Sequence, residues 1–204
     1  MADNNCPNRA FHNCGSGKIA DKISVSRHNT SPKSGDCSVD KSAIILAGGV
    51  SSRFGQDKGL LQLANKPLIR HVLDAIGTIV DEKMVVAGSK VQAENYAKAL
   101  GLDVNVLIDM DDAQSPLVGA LTGFKEARGR YALLLACDTP FVSNDVVSLL
   151  FELCVSRCAV IPRWPNGYVE PLQAVYSAKP AYEAARSALK EGKLNVQSMV
   201  DRLQ

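Results

Sequence analysis

The sequence predicts a three-layer α/β/α domain with a mostly parallel sheet. Three observations carry this. From Ala43 onward, short β-branched apolar runs alternate with longer stretches at helical period. The runs are apolar on both faces, as strands covered on both sides must be. The 204 residues are 46% hydrophobic and 22% charged, a globular balance and a length suited to one domain with a buried core.

The elements follow in order. "AIILA" from Ala43 is the first strand. A helix starts at Pro67, a natural first-turn position, with Leu68, Ile69, Val72, Leu73 and Ile76 on one face. The strand "MVVA" precedes a helix over Lys90 to Leu100 that stops at Gly101. "VNVLI" is a strand, a helix follows Pro116, and "YALLLA" is the next strand. Ser143 is placed to cap a helix carrying Val146, Val147, Leu149, Leu150 and Leu153. The strand-like "CAVIP" and "LQAVY" come next, then two helical stretches to Leu203. Ligands of open sheets of this kind bind beyond the C-terminal strand ends, where the strand order reverses.

Residues 1 to about 40 differ, being rich in Asn, Ser, Lys and Gly without strand or helix period, and read as a flexible extension. "CGSGK" at Cys14 to Lys18 echoes a phosphate loop but has His12 for its first glycine and Ile19 for its Ser or Thr. Cys6, His12 and Cys14 are zinc-ligand types without the paired spacing of a finger. The formal charge of +2 gives no general attraction to nucleic acid, so an anionic ligand must be held locally. No apolar run is long enough to cross a bilayer and the N-terminus lacks a secretory apolar centre, which implies the cytoplasm and no membrane partner. Cys137, Cys154 and Cys158 lie in or beside apolar segments and read as reduced thiols.

"LAGGVSSRFGQDKGLL", Leu46 to Leu61, follows the first strand. Gly48 and Gly49 let backbone N–H groups approach a nucleobase or phosphate. Neither the dinucleotide fingerprint nor a Walker loop is present. Arg53 and Lys58 supply cations for a polyphosphate, and the alternative is a plain surface loop. In "YALLLACDTPF", Asp138 ends an apolar strand on the same sheet edge, placed to bind Mg²⁺ or merely to cap the turn. Asp109, just after "VNVLI", is placed to accept hydrogen bonds from a base or sugar, while Asp111 and Asp112 read as a solvated turn. His71 has no identifiable partner and reads as surface or packing. No nucleophile elbow or reactive-cysteine context occurs, so covalent chemistry is not expected.

"LAGGVSSRFGQDKGLL", "KPLIRHV", "SPLVGALTGF", "CDTPFV" and "EPLQAVY" occur in the order seen in molybdenum cofactor guanylyltransferases, and the chain from about Ala43 to Leu203 resembles these MobA-like proteins. The resemblance implies a Rossmann-like nucleotidyltransferase fold, with residues 41–204 as a single domain. It also implies transfer of GMP from GTP to molybdopterin phosphate, with Mg²⁺ as cofactor. Nucleotide contacts then fall on Leu46, Ala47, Gly48, Gly49, Lys58, Asp109 and Asp138. Catalytic roles fall on Arg53, Lys58 and Asp138, and the metal on Asp138. Pro116, Leu117 and Gly119 match a Gly-Pro-Leu-x-Gly motif. The implied partners are GTP and a molybdopterin-type substrate, with transient contact to cofactor-biosynthesis or acceptor enzymes.

Three departures stand out. Ser115 replaces that motif's first glycine, Ala87 stands where some relatives have asparagine, and the sequence stops at Gln204 before the Asn-x-Asn-Thr-Pro-Glu segment that helps bind the pterin in relatives. Nucleotide binding is thereby better supported than the acceptor. The alternatives are a transferase using CTP or another phosphorylated acceptor such as adenosylcobinamide phosphate, and a GTP-binding module without activity.

Overall fold

Four β-strands run side by side in one direction: β1 (Lys41–Leu46), β4 (Glu82–Ala87), β5 (Asn105–Ile108) and β6 (Tyr131–Ala136). The computed structural model describes residues 40–49, 57–109 and 115–203, which fall in one compact unit, Cys37–Gln204. The readings placed on residues 1–39, Arg53, Asp111 and Asp112 lie outside the described residues.

The sheet order is β5-β4-β1-β6-β8-β7, so the strand order reverses at β1. β8 (Gln173–Ser177) pairs antiparallel with β6, and β7 (Ala159–Val160) antiparallel with β8. A small hairpin, β2 (Gln62–Leu63) and β3 (Lys66–Pro67), stands apart. Alternation along β1 divides the core in two. Ala43 and Ile45 face α1 (Leu68–Ile76), α2 (Lys90–Leu100) and α4 (Asn144–Cys154). Ile44 and Leu46 face α3 (Pro116–Glu126), α5 (Ala178–Lys190) and α6 (Val196–Val200). Each fully buried Ile or Leu on these faces contributes about 1.5–3 kcal/mol.

Several local expectations change. Pro67 belongs to β3 and precedes α1 as its cap instead of opening the helix, because its carbonyl side is extended (ψ 141°). "CAVIP" shortens to Ala159–Val160 because the chain turns away at Pro162, which cannot donate to a ladder. Ser143 occupies the position before α4 but its side chain makes no cap bond. His71 does have a partner: its Nε2 lies 2.8 Å from the Leu63 carbonyl oxygen and ties α1 to the small hairpin.

At the N-terminal strand ends a polar cluster is closed. The Glu82 carboxylate accepts from Ser42 Oγ at 2.6 Å, Arg128 N at 3.0 Å and Arg128 Nε at 2.6 Å. Ser42 Oγ accepts in turn from Gly129 N at 2.9 Å. Burial pushes the Glu82 carboxyl up, but these donors and the Arg128 charge outweigh it and hold the group below its ordinary value. Among the described residues no helix is long and apolar enough to cross a membrane.

Candidate active site

The opposite strand ends are aligned by three backbone bonds just past the ladder. Ala47 N donates to Val86 O at 2.8 Å, Cys137 N to Leu46 O at 3.1 Å and Asp109 N to Ala87 O at 2.8 Å. Parallel strands in this register end together, so Gly48, Gly88, Asp109 and Asp138 emerge on one edge.

A cleft opens between β1, β4 and α3, lined by Leu46, Gly48, Gly49, Gly88, Asp109 and Gly119 among others. Its walls are largely backbone. A Cβ at Gly48 would lie 3.1 Å from Gly88 N and 3.2 Å from Gly88 Cα, so the two turns touch without side chains between them. Gly49 has φ 142°, which side-chain-bearing residues rarely adopt. Asp109 closes one side: its Oδ1 accepts from Thr122 Oγ1 at 3.0 Å. Ser115 sits at the rim and caps α3 by accepting from Val118 N at 3.2 Å. The serine that replaces a glycine therefore has a structural use at this position.

Lys58 and Asp138 meet beside the cleft, with Nζ 3.7 Å from Oδ2 and side chains 51% and 45% exposed. An exposed pair of this kind is worth at most about 1 kcal/mol, so each partner is free to exchange the other for a phosphate or a cation. The turns that hold them are firmer. Leu60 N donates to Asp57 O at 3.0 Å and Leu61 N to Lys58 O at 3.1 Å, winding Lys58–Leu60 into a single 3₁₀ turn. Thr139 Oγ1 donates to Ala136 O at 2.8 Å and shapes the turn that carries Asp138.

One face of α2 supports both turns. Gln92 Nε2 donates to the Asp57 carboxylate, and Gln92 Oε1 accepts from Gly88 N at 3.0 Å. One turn on, Tyr96 is fully buried, and a Cβ at Gly59 would lie 2.7 Å from its hydroxyl oxygen and 3.3 Å from Cys137 Cβ. Burial pushes the Tyr96 phenol well up, and its hydroxyl finds no hydrogen-bond partner among the described residues. Burial, and then the neighbouring Asp138 charge, push the Cys137 thiol up to about 11, so it stays neutral and is no nucleophile.

Leu46, Gly48, Gly49 and Asp109 thus line one cleft, with Lys58 and Asp138 beside it at the strand ends, whereas the Ala47 side chain is buried in the core on the α1, α2 and α4 face. Sequence reasoning missed Gly88 and Gln92. The signal was present, since Gly88-Ser89 follows β4 as Gly48-Gly49 follows β1. Among the described residues no three His, Cys, Asp or Glu gather to hold a metal unaided. A lone, half-exposed carboxylate fits Mg²⁺, which takes one or two carboxylates and completes its shell with phosphate oxygens and water.

The family described as "MobA-like NTP transferase domain" matches residues 43–203. The probable molybdenum cofactor guanylyltransferase of Natronomonas pharaonis is 36% identical over 152 residues, 74% of this chain and 74% of that protein. Its counterpart from Methanosarcina mazei is 34% identical over 169 residues, 80% of this chain and 75% of that protein. The solved structure of molybdopterin-guanine dinucleotide biosynthesis protein A from Archaeoglobus fulgidus superposes with a TM-score of 0.66 at 24% identity, covering 80% of each chain, a likeness of fold.

Proposed function

The chain belongs to the MobA-like NTP transferase family, and on that premise we propose that it transfers GMP from GTP to the terminal phosphate of molybdopterin or Mo-molybdopterin, releasing pyrophosphate and forming the guanine dinucleotide cofactor. The observation that carries this reading is the Lys58–Asp138 pair beside a glycine-walled cleft at the point where the strand order reverses.

An oxygen of the acceptor phosphate attacks the α-phosphorus of GTP. The bond from that phosphorus to the β-phosphate oxygen breaks, and pyrophosphate leaves. The nucleophile is already an anion, so no general base is needed, and catalysis reduces to alignment and charge. In this reading the backbone of Leu46 to Gly49 and the Asp109 carboxylate receive the guanosine. Lys58 swings from Asp138 to the phosphates, where it offsets charge that grows in the transition state. Arg53 adds a second cation from the same loop. Asp138 would hold Mg²⁺, whose chemistry is to neutralise the phosphate oxygens and the departing pyrophosphate. Asp57, tied to Gln92, aims Lys58 and takes no metal.

Pyrophosphate release with GTP, CTP and ATP against molybdopterin tests this. Release with GTP alone is expected. Release with CTP alone assigns a cytidylyltransferase, and GTP binding without release from any acceptor assigns a binding module.

A further inference from the structure

One side chain touches both halves of the candidate site. Gln92 lies in the first turn of α2, where Ser89 Oγ accepts from Gln92 N at 3.2 Å and caps the helix. Its amide uses both ends: Oε1 accepts from Gly88 N at 3.0 Å, and Nε2 donates to the Asp57 carboxylate. The neighbours fix this orientation, since a backbone N–H can only donate and a carboxylate can only accept.

Each end leads into the site. Gly88 lines the cleft together with Gly48, Gly49 and Asp109. A Cβ at Gly88 would lie 3.2 Å from Gly48 Cα, 3.3 Å from Gln92 Oε1 and 3.5 Å from Gly49 N, so the backbone wall of the cleft and the amide press on the same glycine. At the other end Asp57 immediately precedes Lys58, and its carbonyl accepts from Leu60 N at 3.0 Å to close the turn that carries the lysine. From the cleft wall to Lys58 every step is a hydrogen bond or a covalent neighbour. Lys58 is the part able to respond, because its contact with Asp138 is 3.7 Å long and half-exposed, weak enough to be biased by the turn beneath it.

We infer that Gln92 couples the nucleobase half of the site to the phosphate half: a base seated against Gly48 and Gly88 fixes the Gly88 N–H, and the Gln92 amide passes that order to Asp57 and so to Lys58. The inference rests on the transferase reading above and makes Gln92 a positioning residue, acting through Gly88 and Asp57 and not on the reacting atoms. Its consequence is selectivity. A triphosphate without the fitting base meets a Lys58 turn that is less firmly set, so base recognition is felt where phosphate charge is offset. By linkage, phosphate binding tightens base binding by the same factor.

Guanosine and inorganic tripolyphosphate probe the two halves separately, titrated calorimetrically into the full chain in Mg²⁺. In the wild type, guanosine should tighten tripolyphosphate binding about fivefold or more. Gln92→Leu should bring that ratio to about one while each ligand still binds alone. Gln92→Glu should abolish the coupling as well, because it sets a second carboxylate against Asp57. Combining it with Asp57→Asn should restore the coupling, since the amide then donates from position 57 and the carboxylate at position 92 still accepts from Gly88 N. A merely structural role would lower Tm and leave the ratio in place. The inference is overturned by a wild type that binds no tripolyphosphate, a wild-type ratio of one, a ratio retained in Gln92→Leu, or a double variant no better than Gln92→Glu. Coupling as expected in a protein that releases no pyrophosphate would leave the bridge standing and sink the transferase reading. Pyrophosphate release without coupling would do the reverse.

Discussion

The two ends of the parallel strands carry charge in opposite ways. At the N-terminal end, Glu82 is 6% exposed and accepts three hydrogen bonds, each of 3.0 Å or less. At the C-terminal end, Lys58 and Asp138 stand half-exposed and 3.7 Å apart. The first arrangement is saturated and joins β1, β4 and the turn before β6. The second leaves both groups with lone pairs or protons to offer. On the proposed function, a charge that must meet a substrate is held by the turns around it, through Gln92 and Tyr96, and not by its own ion pair.

The largest effect that would break this contrast is on turnover. Lys58→Ala and Asp138→Ala should each lower kcat by about 100-fold or more, while Tm moves by no more than a surface change would allow, measured by pyrophosphate release and thermal melting on the same samples. Wild-type rates in both would remove the C-terminal end from the chemistry. Glu82→Ala should do the reverse. It leaves the Ser42 hydroxyl and the Arg128 N–H groups without their acceptor and should cost about 1–3 kcal/mol in urea unfolding, with KM for GTP unchanged.

The same carboxylate sets a pH signature. Its folded value is depressed below 4.5, so its stabilisation is present above that value and fades as pH falls through the folded value. The Tm gap between wild type and Glu82→Gln should therefore narrow as pH drops below 4.5, and a gap that widened would contradict the assignment. The smallest effect belongs to Ser115→Gly. Restoring the family's glycine removes the cap bond to Val118 N, and a few tenths of a kcal/mol are expected, about 0.3 by melting, with turnover near wild type.

Much of this arrangement was legible in the chain. The runs "AIILA", "MVVA" and "YALLLA" mark strands because they are apolar on both faces, and Gly48-Gly49 and Asp138 mark the edge because the glycines directly follow one such run and Asp138 comes two residues after another. What depends on pairing was not legible. That β8 runs antiparallel beside β6 follows from the return of residues 161–172, and no period in "LQAVY" records its direction. Gln92 and Tyr96 look like ordinary helix residues until α2 is laid on the turn of Asp57 to Gly59, because their partners are 35 and 37 residues away in sequence.

By itself the sequence determined the layer order, the strand ends and the residue types set on them, since local periodicity and turn chemistry act over a few neighbours. Only the tertiary structure decided which of those residues meet. It placed Lys58 against Asp138, pressed Gly48 onto Gly88 and put Trp164 and Phe141 on the lining of one cavity, because contacts between distant segments are fixed by sheet order and helix packing, which no short stretch of chain contains.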